Sequence, residues 1–173
     1  MKTLFTLVII LSSQSVFAGK AHSHREHGAH VHGSASLAVA FDDKVGKVEF
    51  KGAAEAVLGF EYIPKKEKDK RILSEATSAF ENDIAKMLQF DPALSCRFVK
   101  EKLGQFAEDK SAKSNHSNWE AVYKVECAKS PNGSKLTVDF TRFKNLKDLD
   151  LTLLIGNVQK SAEYKGTVLK IDL

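Results

Sequence analysis

Val31-His32-Gly33-Ser34-Ala35-Ser36-Leu37-Ala38-Val39-Ala40-Phe41 is the stretch whose reading decides the fold. Val31, Ala35, Leu37, Val39 and Phe41 fall on one face, and Ser34, Ser36, Ala38 and Ala40 on the other. That period of two is the pattern of a half-buried strand. Asp42-Asp43-Lys44 with Gly46 supplies a turn, and Lys47–Lys51 returns with Val48 and Phe50 on its apolar face. The two segments are predicted to form a hairpin.

Working outward, Ala53–Phe60 is apolar without a clear period, and Pro64 ends whatever it forms. Lys65–Lys70 is a charged run that leads into a helix, and Lys65–Arg71 reads as a solvated helix start in preference to a binding patch. Ile72, Leu73, Ala76, Phe80, Ile84, Met87 and Leu88 then recur at three- and four-residue steps, one apolar helical stripe that Pro92 stops. Further strands are predicted near 95–103, 119–127, 134–143, 149–155 and 167–171, with a polar loop over 104–118. Trp119 and Tyr123 alternate with Ala121 and read as packing residues. His32 and His116 each precede a strand, a turn and a second strand, ending in Val-Glu-Phe and Val-Asp-Phe, an echo that would make two similar β halves. The class is α+β, an antiparallel sheet system with one long amphipathic helix.

The chain has 173 residues, 43% apolar and 28% charged, with a formal charge of +4. These values suit a single globular domain, expected over 31–173. They exclude a polytopic membrane protein, and the charge excess is too small and too dispersed to argue for nucleic acid. Met1-Lys2, the apolar run Leu4–Leu11 and the small residues of Val16-Phe17-Ala18 have the pattern of a cleaved secretory signal over 1–18. The run is too short for a permanent span, so no membrane span is expected after cleavage. Export would place Cys96 and Cys127 in an oxidising compartment, where a disulfide is favoured. Joint metal ligation is the rival, but two thiolates without C-x-x-C spacing make a weak zinc signature.

Five of the six histidines, His22, His24, His27, His30 and His32, lie within eleven residues. Residues 19–30 are polar and aperiodic, so they read as a His-rich mobile segment. Neutral imidazole is the commonest side-chain ligand for zinc. In a strand, His30 and His32 would project together, giving a defined site; in a tail, the five would wrap an ion without preformed geometry. Imidazole ligands accept Cu2+ and Ni2+ as well as Zn2+. No H-E-x-x-H, G-x-S-x-G or P-loop is present, so no enzyme is expected.

Three blocks carry a resemblance. His30-Val31-His32-Gly33-Ser34-Ala35-Ser36-Leu37 resembles the H-x-H-G-x-A-x-L opening of the ZrgA-type zinc-regulated periplasmic proteins. Gly59-Phe60-Glu61-Tyr62-Ile63-Pro64 resembles that family's G-F-E-H-x-P segment, and His116, Tyr123 and Cys127 its H-x6-Y-x3-C block, with Cys96 where its first cysteine stands. The resemblance implies a periplasmic accessory protein that captures zinc for high-affinity uptake and passes it to a transporter or its periplasmic receptor. It implies His30, His32, His116 and Glu61 as metal residues. Tyr62 stands where the family usually has histidine, which would weaken a site needing that ligand. The residue-level alternative is a structural or partner-binding envelope domain in which the histidines are incidental.

Overall fold

A computed structural model describes residues 33–107 and 116–173. The expected signal segment and the histidines at 22, 24, 27, 30 and 32 lie outside these residues. The predicted hairpin is present: β1 (Ser34–Asp42) pairs antiparallel with β2 (Val45–Ala53), setting Leu37 opposite Phe50 and Val39 opposite Val48. The ambiguous apolar stretch becomes a short helix, α1 (Ala54–Leu58). The helical stripe becomes α2 (Glu67–Met87), with Glu67 and Asp69 in its first turn and Lys86 in its last, complementing the helix dipole. β3 (Leu88–Phe90), β4 (Arg97–Ala107), β5 (Ser117–Glu126) and β6 (Lys135–Val138) follow, then β7 (Asp148–Ile155), β8 (Val158–Tyr164) and β9 (Leu169–Asp172).

Six strands form one sheet in the order β4-β5-β2-β1-β7-β8, and three form a second in the order β3-β6-β9. The class is α+β, but the expectation of an antiparallel system needs correction. β1 and β7 run parallel, with Leu37 beside Leu151 and Val39 beside Leu153. Alternation fixes which face of a strand is buried and is blind to its direction. Parallel neighbours need a long crossover, here everything from β2 to the 139–147 turns.

The echo does not yield two like hairpins. β5 joins the large sheet and β6 the small one, so the strand–turn–strand after His116 crosses between sheets. What the echo does share is direction: β1 and β5 flank β2, both antiparallel to it, and start at the same end of the sheet. The strand predicted to reach residue 143 stops at Val138. There the Asp139 carboxylate accepts from the Thr141 amide (3.1 Å) and hydroxyl (2.6 Å), and successive turns close at Phe143 and Leu146.

One face of the large sheet presents Leu37, Val39, Phe41, Phe50, Trp119, Tyr123, Leu151 and Leu153 to the interior. α2 and the small sheet cover that face through Phe80, Met87, Leu88, Phe90, Leu136 and Val138. Phe80, fully buried, meets Phe50 (5.3 Å), Trp119 (5.3 Å) and Phe143 (5.2 Å) between ring centroids, close enough for aromatic pairing. The buried Tyr123 hydroxyl donates to the Phe80 carbonyl at 2.8 Å, tying β5 to α2. Cys96 and Cys127, just outside β4 and β5, are joined as a disulfide. Among the described residues, no helix is long and apolar enough to cross a membrane.

Candidate metal-binding site

The strand directions gather the motif residues at one end of the large sheet. β1, β5 and β7 begin there, while β2, β4 and β8 end there. The starts of β1 and β5, separated by β2 alone, lie roughly 10 Å apart at the usual strand spacing. Gly33 immediately precedes β1 and His116 immediately precedes β5.

Gly33 directly follows the H-x-H segment in sequence. Its amide donates to Glu55 Oε2 on α1 (2.9 Å), and its carbonyl accepts from the amides of Lys147 (2.8 Å) and Asp148 (3.1 Å). Its φ is +75°, and a Cβ there would stand 2.9 Å from the Asn145 carbonyl oxygen. Glycine answers both constraints. Gly59, at φ +81°, ends α1 with its amide on the Glu55 carbonyl (2.8 Å), and a Cβ there would meet Asn145 Nδ2 at 2.9 Å. The two motif glycines therefore let two separate segments close on the same asparagine.

Beyond Gly59 the chain leads to Glu61, whose carboxylate accepts from His116 Nδ1. The Glu61 side chain is 11% exposed and that of His116 is 55% exposed, so a sheltered carboxylate holds an accessible imidazole. Gln105, near the end of β4, fastens this arrangement. Its Nε2 reaches the carbonyl oxygens of Glu61 (3.3 Å) and Tyr62 (3.0 Å) and the Ser117 hydroxyl (2.7 Å). Ser117 Oγ in turn donates to the Glu61 carbonyl. The Tyr62 hydroxyl donates to Asp69 Oδ2 on α2 (3.0 Å); this bond, reinforced by burial, holds the Tyr62 pKa above its ordinary value.

Glu61, Tyr62, Asp69, His116 and Ser117 line an open cleft of about 550 Å³, together with Ile63, Lys65 and Lys66. Carboxylate on one imidazole nitrogen fixes the tautomer and aims the lone pair of the other, the usual outer support of a metal-binding histidine. Of the residues singled out in the sequence, His116 and Glu61 are thus together. His22, His24, His27, His30 and His32 lie outside the described residues.

A second acidic group went unnoticed in the sequence: Asp148, Asp150 and Glu163 bring carboxylate oxygens within 4.8 Å of one another. Asp148 and Asp150, two apart on β7, share a face, and Glu163 is directly opposite Asp150 on β8, so the D-x-D spacing was the available signal. Lys165 already sits in this group, 3.0 Å from Asp148 Oδ2 and paired with Glu163. Those two carboxylates, Glu163 foremost, raise the Lys165 pKa. The Lys165 ammonium therefore already neutralises two of the three carboxylates.

The fold and this site define an α+β protein that presents imidazole and carboxylate, the donor set of zinc-binding sites, at one end of a mixed sheet. Residues 29–173 match the family model described as ZrgA family zinc uptake protein, and the chain belongs to that family. No curated protein matches the chain.

Proposed function

We propose that this protein is a periplasmic zinc-binding accessory protein that captures zinc for high-affinity uptake and passes it to a transporter or its receptor. The observation that carries this reading is the Glu61–His116 pair, set at the sheet end where the His30-Val31-His32 segment enters through Gly33. Peptide connectivity keeps His32 one residue, about 3.8 Å between Cα atoms, from the anchored Gly33. His116, His30 and His32 would bind the ion, with Glu61 either completing the set or holding His116. His22, His24 and His27 would raise local zinc concentration as a capture tail.

A role in binding and transfer, without catalysis, is supported by the absence of catalytic sequence motifs. Export is supported by the signal-like first eighteen residues and by the Cys96–Cys127 disulfide. Zinc is cargo in this reading, so affinity must permit release, and binding weakens on acidification because ligand imidazoles must be neutral.

Zinc titration of the chain from Gly19 to Leu173 against a competing chelator tests the reading. His116→Ala and the pair H30A/H32A should each weaken the tightest site at least tenfold, and Glu61→Gln about 10–100-fold. H22A/H24A/H27A should lower capacity and leave the tightest affinity within about threefold. Failure of the wild-type chain to retain zinc at micromolar concentration, or an unchanged affinity in H116A, would overturn it.

A further inference from the structure

Among the described residues, the cleft carries a feature that zinc capture leaves unexplained: a run of exposed cations begins at its edge with Lys65 and Lys66. Lys65 and Lys66 line it, and Lys68 and Arg71 continue the charge along the first turns of α2. Elsewhere many of the protein's cations are neutralised, as in Lys47–Glu49 (2.6 Å), Lys124–Glu126 (2.8 Å) and Arg142–Asp83 (3.0 Å). On the rim only Lys70 is paired, with Glu67 at 2.8 Å. Among the described residues, no carboxylate lies within ion-pair distance of Lys65, Lys66, Lys68 or Arg71. Asp69, in the middle of the run, is buried and accepts from the Tyr62 hydroxyl. The positive end of the α2 dipole adds to the same field.

Clustered like charges repel one another and oppose the approach of a metal cation, so zinc capture does not account for them. An anionic partner does. Two exposed apolar side chains adjoin the cations, Tyr62 (47% exposed) and Ile63 (56% exposed). Tyr62 is already fixed, stacked on Phe60 with ring centroids 4.8 Å apart and tethered to Asp69. A rigid exposed aromatic offers an apolar anchor with little ordering cost, and the flanking cations add electrostatic complementarity to an acidic partner. The helical part of the run, 67–71, rises roughly 6 Å, and the extended Lys65-Lys66 lengthens it further, room for several carboxylates in place of one small anion.

We infer that Tyr62, Ile63, Lys65, Lys66, Lys68 and Arg71 form a docking surface for an acidic segment of a partner protein. The lysines and arginine pair with its carboxylates, and Tyr62 and Ile63 take an apolar side chain. Docking here brings the partner's carboxylates to the mouth of the cleft that holds Glu61 and His116. The inference stands on charge and exposure at the rim and is independent of whether the cleft binds zinc.

The probe is a fluorescein-labelled octapeptide of six glutamates and two leucines, titrated by anisotropy with the metal-free chain at 50 and 150 mM salt. Binding should weaken at least tenfold in K65Q/K66Q/K68Q/R71Q and at least threefold in Ile63→Ser. It should stay within twofold in K51Q/K129Q/K144Q/K170Q, which removes the same charge elsewhere. Equal loss in the two quadruple variants, or no peptide binding by the wild type, overturns the inference. So does binding to phosphatidylglycerol vesicles without binding to the peptide, which would make the rim a membrane contact. Zinc titration of the same samples separates the two readings. A rim effect in a chain that binds no zinc overturns the metal site and leaves the docking surface standing, and the reverse result does the opposite.

Discussion

Removal of the Cys96–Cys127 disulfide should cost stability and leave the cleft untouched. The two cysteines are 31 residues apart in sequence. Closing a loop of that length lowers the entropy of the unfolded chain by an amount worth about 3.7 kcal/mol at 25 °C. For a domain of this size each kcal/mol moves Tm by about 2–4 °C, so C96A/C127A should melt about 7–15 °C below the wild type. The cleft lies at the other end of the same two strands. Arg97 pairs with Glu126 beside the disulfide, and Ala107 pairs with Ser117 beside His116. At about 3.3 Å per residue that separation is roughly 30 Å. Thermal unfolding followed by circular dichroism, with zinc titration of the same sample, reads both quantities. A Tm loss under about 2 °C would refute the loop-entropy argument. A fall in zinc affinity alongside the Tm loss would refute the independence of the two ends.

Gly33→Ala forces a side chain into φ +75° and toward the Asn145 carbonyl, so it should destabilise the protein by about 2 kcal/mol in urea unfolding and weaken zinc binding by shifting the entry of His30 and His32. Gln105→Leu removes the donor that fastens the 61–62 backbone; the expected loss is about 1–2 kcal/mol, with a fall in zinc affinity that Gln105→Asn fails to restore because its amide is one methylene short. Asp83 has its pKa lowered by hydrogen bonds from Lys86 and Arg142. Its contribution is therefore present above the ordinary carboxyl range and lost as pH falls through its depressed folded value. The Tm difference between wild type and Asp83→Asn should accordingly shrink toward zero on acidification.

The parts of the fold legible in the sequence are those where a local period meets burial. β1 and β2 are legible in their alternation and α2 in the Ile72–Met87 stripe, because each buries one face. The parallel setting of β7 was not legible, since Leu149, Leu151, Leu153 and Ile155 bury identically in either direction. β8 escaped altogether: of Val158–Tyr164 only Tyr164 is buried, and an edge strand carries little apolar signal. β4 runs to Ala107 and β5 begins at Ser117, so residues 104–107 and 117–118 of the expected polar loop are strand. Gln105 was hidden in that reading. Glu61 and His116 came from motif resemblance, because their meeting is made by strand order and no local pattern encodes it.

The parallel pairing of β1 with β7 also sets the order in which the molecule can be assembled. β2 reaches β1 within a tight turn, whereas β7 arrives more than a hundred residues later in the chain. Until it does, the far side of β1 is an open row of amides and carbonyls able to template a foreign strand. Such long-range closure folds slowly, and the exposure lasts as long as the search. A nascent chain would hold its hairpin early and the start of β1 in its final setting late. Gly33, anchored by the amides of Lys147 and Asp148, gains its last two tethers only when β7 docks.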